Sequence, residues 1–174
     1  MPDSQIQAVL EQFRAAAVTA CQTSTALYRC LILSASPARR EFLARAAIAA
    51  GWEAVLCADV ESARAHVRRM FLQLAMIDLE NPGGDVPRAF REVVADIAGT
   101  KGILAVVCGH EGDIHEEIWA RQLGVWLYLP GVGDGDDISL LCSEARQIAE
   151  RLAEVKSTGP QKPTIEPIRM PGVG

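Results

Sequence analysis

The chain has 174 residues, of which 49% are hydrophobic and 22% charged, and its formal net charge is −5. This length and composition predict one globular domain with short extensions. Lysine and arginine are dispersed, which argues against a nucleic-acid or anionic membrane surface, because such surfaces concentrate positive charge. No apolar run approaches the about 20 residues that a membrane-spanning helix needs. We therefore predict neither a nucleic-acid nor a membrane partner.

The cysteines lie far apart and form no Cys-x-x-Cys pair; they are Cys21, Cys30, Cys57, Cys108 and Cys142. This pattern predicts reduced thiols rather than a disulfide framework or a zinc site. The first residues carry acids and lack the basic start and apolar core of a signal peptide. Together these features predict a cytoplasmic protein that holds no metal.

Residues 3–22 have the spacing of an amphipathic helix, and residues 1–26 are predicted to be this helix and its connector. The apolar stripe of the helix consists of Ile6, Val9, Leu10, Phe13 and Ala17. An isolated helix of this length is marginal in water, so the stripe needs a packing partner. It can pack on the domain itself, pair with a second copy, or fill a groove in another protein. Leu10 and Phe13 are therefore interaction candidates.

From residue 27 to residue 156, short apolar runs alternate with helical patterns. Strands are predicted at 27–35, 53–58, 72–79, 103–109 and 125–129. Helices are predicted at 37–51, 60–71, 86–98 and 113–123, and a fifth after Asp136 and Asp137 with a core stripe that reaches Val155. Strands joined by crossover helices form a parallel sheet with helices on both faces. The fold class is therefore α/β with a five-stranded parallel sheet and an extra N-terminal helix. The Pro-rich residues 157–174 are predicted to be a flexible tail.

The stretch LAMIDLENPGG, residues 74–84, places an acid at the end of an apolar run. A proline and two glycines follow Asp78 closely, which is typical of a loop. In open parallel sheets, binding and chemistry occur at the carboxyl ends of the strands. The other predicted ends are at residues 34–36, 108–109 and 129–131.

The order of these elements, with the D-x-x-x-P-G match from Asp78 to Gly83, resembles the receiver domain of two-component response regulators. The resemblance covers residues 27–155. It implies a flavodoxin-like sheet with strand order 2-1-3-4-5 and a phosphoryl group that is accepted on Asp78.

The resemblance also reveals departures from the family pattern. The family holds Mg²⁺ with an acidic pair after the first strand, where this chain has Ser34 and Ala35. A threonine or serine after the fourth strand bonds the phosphoryl group there, where this chain has Cys108. A lysine follows the fifth strand in the family, where this chain has Leu129 or, in a second alignment, Gly131. Without these groups an acyl phosphate lacks its countercharges.

We therefore predict a non-enzymatic signalling or scaffolding module that resembles an atypical, or pseudo-, receiver. It needs no cofactor and acts through contacts with a protein partner or a second copy. Asp78 is then an inactive phosphoacceptor position, a solvated or helix-capped carboxylate. One alternative is a single-domain response regulator phosphorylated on Asp78 through an altered Mg²⁺ site. A second is a small-ligand sensor at the carboxyl end of the sheet, near Ser34, Asp78 and Cys108.

Apolar side chains near the fifth strand indicate where such contacts occur. In receiver domains the face of the fourth helix, fifth strand and fifth helix is the usual partner surface, and aromatic residues are typical interface anchors. Trp119 and Leu140 are the candidates here. Ile114, Ile118 and Leu123 can fill the core without Trp119, which leaves Trp119 open to either an interface role or a core role. Trp126 and Tyr128 can instead fill the space between sheet and helices.

Two polar clusters have ordinary explanations. His110 and His115 are spaced by five residues, which does not suit a helical metal site, and the acids around them suit a helix start. The arginines of the first two helices are predicted to form a solvated basic face. They are Arg39, Arg40, Arg45, Arg64, Arg68 and Arg69.

Overall fold

The structure is a computed structural model that describes residues 27–80, 88–133 and 137–157, with the side chains of the last helix described as far as residue 155. Its strands are β1 (Arg29–Leu33), β2 (Glu53–Cys57), β3 (Leu74–Asp78), β4 (Leu104–Gly109) and β5 (Leu127–Pro130). Its helices are α1 (Pro37–Ala49), α2 (Val60–Arg69), α3 (Arg88–Ala98), α4 (Ile114–Gln122) and α5 (Ser139–Ser157). The predicted N-terminal helix and C-terminal tail lie outside the described residues and stay predictions.

The five strands form one sheet in the order β2-β1-β3-β4-β5, and every neighbouring pair is parallel. The predicted five-stranded parallel sheet with helices on both faces is thereby confirmed. The predicted apolar runs extend past the ends of most strands. Leu27, before β1, is 61% exposed, but at other ends burial continues beyond the strand. Leu79, for example, is fully buried although β3 has already ended. An apolar run can therefore continue past a strand, which ends where its ladder of hydrogen bonds ends.

A hydrophobic core lies on each face of the sheet. One core packs α1 and α5 against the sheet, and the other packs α2, α3 and α4. Side chains of β5 alternate between them, with Leu127 and Leu129 against the first core and Tyr128 in the second. Trp126 packs against the first core. The structure therefore favours the expectation that Trp126 and Tyr128 fill space between sheet and helices.

Helix α5 is only partly covered by the domain. The Asp137 side chain accepts a hydrogen bond from the Ser139 backbone N–H at 3.0 Å, near the start of the helix. Ala145 and Ala149 are buried, but Leu152 is 43% exposed and Val155 is 73% exposed. The predicted core stripe is therefore wrong for its last two members, because they lie beyond the packed core. In the part of the chain described, no helix is long and apolar enough to cross a membrane.

Candidate functional site

Asp78 is the last residue of β3 and is only 2% exposed. It lies beside Cys108 in the register of β3 and β4. The prediction of a solvated or helix-capped carboxylate is therefore wrong. Burying an ionised carboxylate is costly unless hydrogen bonds and a countercharge compensate it, so the partners of Asp78 decide what the site can do.

The countercharge comes from Arg39 in the first turn of α1. Its Nη2 donates to Asp78 Oδ1 at 2.9 Å, and its Nε donates to Asp78 Oδ2 at 3.1 Å. Two parallel charge-assisted bonds of this kind are among the strongest in proteins. The same Nη2 lies 3.1 Å from Glu80 Oε2, and Nη1 donates to the backbone carbonyl of Val132. We call this group of contacts the arginine clasp.

The start of α1 sets the position of the clasp. Pro37 occupies the first turn of the helix, and the Ser36 side chain caps it by accepting from the Arg39 backbone N–H at 3.4 Å. Arg39 therefore lies in the helical turn next to the carboxyl ends of the strands. Its side chain is 13% exposed. The prediction that Arg39 belongs to a solvated basic face is wrong.

Other arginines of that predicted face are also engaged. Arg40 donates to the backbone carbonyl of Ser34 at 2.6 Å. Arg64 of α2 pairs with Glu92 at 3.5 Å and with Asp96 at 3.4 Å, both on α3. These arginines tie neighbouring elements together instead of forming one shared basic surface.

Two further donors complete the coordination of Asp78. The Ser34 hydroxyl donates to Oδ2 at 2.7 Å, and the Glu80 backbone N–H donates to Oδ1 at 3.3 Å. Ser34 is itself fully buried, and its oxygen accepts from the Ser36 backbone N–H at 3.1 Å. The structure thus brings Ser34 and Asp78 together, whereas the neighbouring Ala35 is exposed and has no polar side chain.

The pKa shifts agree with a fixed ion pair beside a neutral thiol. Burial by itself lowers the pKa of Arg39, but the hydrogen bonds and charge of Asp78, together with Glu80, outweigh burial and raise it. Burial, followed by the charge of Asp78, raises the pKa of Cys108 to about 12. Cys108 is therefore a neutral thiol, which is a weak donor. Leu129, in register with Cys108, contributes only an apolar side chain.

A second buried carboxylate, Glu116 of α4, was not found by sequence reasoning. It is 1% exposed. Its Oε1 accepts from the His110 backbone N–H and from the Tyr128 hydroxyl, each at 3.0 Å. Its Oε2 accepts from Arg91 of α3 at 2.9 Å. These contacts join α3, β5 and the end of β4 around one charge.

The Glu116 cluster also explains the glycine at the end of β4. A Cβ built on Gly109 would collide with the Glu116 carboxylate and the Tyr128 ring and hydroxyl. A serine or threonine therefore does not fit at Gly109 without displacing this pair. Because Cys108 fills the preceding position, neither residue offers the hydroxyl that the resemblance would require.

The sequence carries weak signals for this cluster. Asp113 and Glu116 have the spacing of a capping box, and the Asp113 side chain does accept from the Glu116 backbone N–H at 2.9 Å. Such an acid is expected at the surface, where the helix dipole stabilises it. A buried tyrosine usually finds a partner for its hydroxyl, and this rule pointed at Tyr128 without identifying Glu116.

Tyr128 provides a pH-dependent test of the cluster. Burial, then the hydrogen bond and charge of Glu116, raises its pKa well above the ordinary value of about 10. The folded state therefore favours the neutral phenol of Tyr128. This contribution to the stability of the fold is complete below the unfolded-state pKa of the tyrosine and is lost as pH rises through its folded-state pKa. We expect Tyr128→Phe to remove the part of the tyrosinate absorbance that develops last in an alkaline titration. If the variant instead removes the absorbance that develops first, Tyr128 is not held beside Glu116.

The comparisons with known proteins rest on structure alone. No family model matches the sequence, and no curated protein matches it. A response regulator receiver domain protein (CheY-like) from Methanospirillum hungatei JF-1 aligns with a TM-score of 0.57 and 18% identity, over 77% of this chain and 100% of that one. The signal receiver domain of a putative Luxo repressor protein from Vibrio parahaemolyticus aligns with a TM-score of 0.61 and 14% identity, over 75% of this chain and 98% of that one. NtrX from Brucella abortus aligns with a TM-score of 0.59 and 19% identity, over 74% of this chain and 29% of NtrX. The chain has the receiver-domain fold.

The predicted contact residues Trp119 and Leu140 lie on α4 and α5. Leu140 is 68% exposed, as predicted for a residue beside the core stripe. Trp119 is half-buried, packs against the second core, and has its ring centroid 5.0 Å from the Arg91 guanidinium carbon. Ile114 and Ile118 are 67% and 48% exposed. The structure packs Trp119, and not these isoleucines, against the core, because α4 turns Glu116 inward.

Proposed function

We propose that this receiver-fold chain is a signalling or scaffolding module that works without phosphorylation of Asp78. It is non-enzymatic and acts in the cytoplasm through contacts with a protein partner or a second copy. The observation that carries the proposal is the arginine clasp, which supplies Asp78 with a permanent internal countercharge.

Hydrogen bonds occupy all the lone-pair positions of the Asp78 carboxylate in this arrangement. An ionised carboxylate offers about four lone-pair positions on its two oxygens. Asp78 receives hydrogen bonds from the Ser34 hydroxyl, from two nitrogens of Arg39 and from the Glu80 backbone N–H. A carboxylate that attacks a phosphorus atom needs a free oxygen. The clasp would have to open before Asp78 could react.

The residues around Asp78 do not fit Mg²⁺. This ion favours carboxylate and water oxygens in near-octahedral geometry. Ser34 and Ala35 supply no carboxylate, and Glu80 is already paired with Arg39 at 3.1 Å. The Arg39 guanidinium would also repel a divalent cation beside Asp78. Among the described residues, no group of three or more His, Cys, Asp or Glu side chains could hold a metal ion.

The clasp links three parts of the fold that meet at the carboxyl end of the sheet. Arg39 belongs to α1, Asp78 ends β3, and Val132 follows β5. Because one guanidinium bonds both Asp78 and the Val132 carbonyl, it fixes the loop after β5 relative to the centre of the sheet. This supports a module with one constant conformation rather than one that phosphate switches.

The surface proposed for protein contacts flanks the β5 edge. β5 is the last strand of the sheet; α4 precedes it in the chain and α5 follows it, on opposite faces of the sheet. Ile114, Ile118 and Leu140 are large apolar side chains exposed on these helices. Exposed apolar residues grouped on one side of a domain are typical of interaction sites. We include Ile114 and Ile118 in this surface and place Trp119 behind it, as packing support.

Acetyl phosphate with Mg²⁺ tests the proposal. We expect the intact mass of the chain to gain no phosphoryl group and its sedimentation coefficient to stay constant, because Asp78 cannot reach the phosphorus atom. A single-domain response regulator, the main alternative, gains one phosphoryl group that is lost in Asp78→Asn. The small-ligand alternative requires its ligand to displace the same arginine.

A further inference from the structure

An apolar cavity of about 130 Å³ opens at the end of the sheet opposite Asp78. Its walls come from the amino ends of β1, β3 and β4 and from the last turns of α5. Tyr28, Leu104, Ala149 and Leu152 provide most of the lining, with Gln73, Gly102 and Ala153 completing it. A cavity of about 150 Å³ holds one benzene ring. This cavity therefore has about the capacity of one aromatic side chain.

Exposed apolar side chains adjoin the cavity lining along the chain. Leu27 precedes the lining residue Tyr28 and is 61% exposed, Leu152 lines the cavity and is 43% exposed, and Val155 follows the lining residue Ala153 by two positions and is 73% exposed. Leu152 and Val155 continue the apolar stripe of α5 after its packed part has ended at Ala149. An amphipathic stripe that continues without a partner indicates that another apolar element covers it.

The chain itself supplies such an element at the right place. The described structure begins at Leu27, next to the cavity residue Tyr28, and residues 1–26 precede it. Within them, the predicted stripe that includes Leu10 and Phe13 has helical spacing over 6–17. A helix of this length is about 18 Å long. The connector 18–26 reaches at most about 30 Å when extended, which allows the helix to fold back onto the cavity.

We propose that residues 6–17 dock as a helix along the exposed end of α5 and that Phe13 fills the cavity. The leading segment is then part of the domain and not an arm that captures a partner. This proposal is independent of the phosphorylation state of Asp78. It also gives the leading helix the packing partner that it needs, because an isolated helix of this length is only marginally stable in water.

A thiol-labelling experiment on the full chain tests the docking. The described native cysteines are buried, so Cys21→Ser with Ala153→Cys leaves one reporter thiol at the cavity. We expect Phe13→Asp to accelerate its reaction with Ellman's reagent by about tenfold or more, because burying a phenylalanine is worth at least that factor. Ala15→Asp adds the same charge on the opposite face of the predicted helix and should leave the rate unchanged.

Two controls make each outcome decisive. A reporter at the exposed Ala95 of α3, Ala95→Cys, should react equally fast with and without Phe13→Asp or Ala15→Asp. Protection of Ala153→Cys that is independent of protein concentration and lost in Phe13→Asp supports docking within one chain. Protection that grows with concentration indicates a second copy and overturns the proposal. Absent protection, or protection that Phe13→Asp leaves intact, overturns it as well.

Discussion

Replacing Arg39 with leucine lowers the free energy of unfolding by about 3–5 kcal/mol, as expected when one member of a buried ion pair is removed. The Asp78 side chain is fully buried and that of Arg39 is 13% exposed, so solvent screens little of the pair. The variant leaves an ionised carboxylate with only Ser34 and one backbone N–H as partners. Urea unfolding at neutral pH, followed by circular dichroism, measures the change.

Matched variants separate the ion pair from a general effect on α1. Arg45 is exposed on the same helix, and Arg45→Leu should change the free energy of unfolding by no more than about 0.5 kcal/mol. Adding Asp78→Asn to Arg39→Leu should recover part of the lost free energy of unfolding, because no buried charge then remains at this site. A double variant less stable than Arg39→Leu alone would contradict the clasp.

Replacing Glu116 with alanine lowers the free energy of unfolding by about 2–4 kcal/mol. The change deprives the His110 backbone N–H and the Tyr128 hydroxyl of their acceptor and leaves a cavity, and each effect is costly in a buried site. It also frees Arg91, which is 41% exposed in side chain and can be hydrated. Denaturant unfolding measures the total effect.

The neighbouring acid provides the control. Glu117 forms an ion pair with Arg121 at 2.7 Å, but this pair lies on the exposed side of α4. Glu117→Ala should therefore cost about 0.5 kcal/mol or less, as is typical of surface pairs on a helix. Equal losses for the two alanine variants would show that Glu116 is not the centre of a buried cluster.

Much of the fold was predictable because it depends on patterns that the sequence displays directly. Short apolar runs between helical patterns predict a parallel sheet covered on both faces. Pro37 and Gly51 mark the limits of α1 within two residues of where the structure has them. The strand order did not follow from the runs themselves. It came from the resemblance, and the structure confirms it.

The partners of Asp78 were not predictable in the same way. Arg39, Arg40 and Arg45 look alike in the sequence, and only the starting point of α1 decides which one lies over β3. A shift of one residue turns a helical side chain by about 100°, and capping fixes the start more finely than periodicity does. The sequence therefore showed which groups were absent from the site but not which group had replaced them.

Glu116 escaped prediction because burial of a charge depends on distant partners. An acid three residues after a capping aspartate is ordinarily a surface residue. Its burial depends on Arg91, Tyr128 and the Gly109 backbone, which come from three other parts of the chain. No local pattern records that these parts meet. The same inward rotation of α4 exposes Ile114 and Ile118, so the missed cluster also changed the predicted contact surface.

The most direct measurement is a titration of the native chain with beryllofluoride and Mg²⁺, which mimic the phosphoryl group, followed by tryptophan fluorescence. Trp119 lies against Arg91, which holds Glu116 at the end of the sheet near Asp78, so it is a suitable reporter. Because Arg39 already fills the coordination of Asp78, we predict no saturable change in emission. A saturable, Mg²⁺-dependent change that Asp78→Asn abolishes would contradict the account.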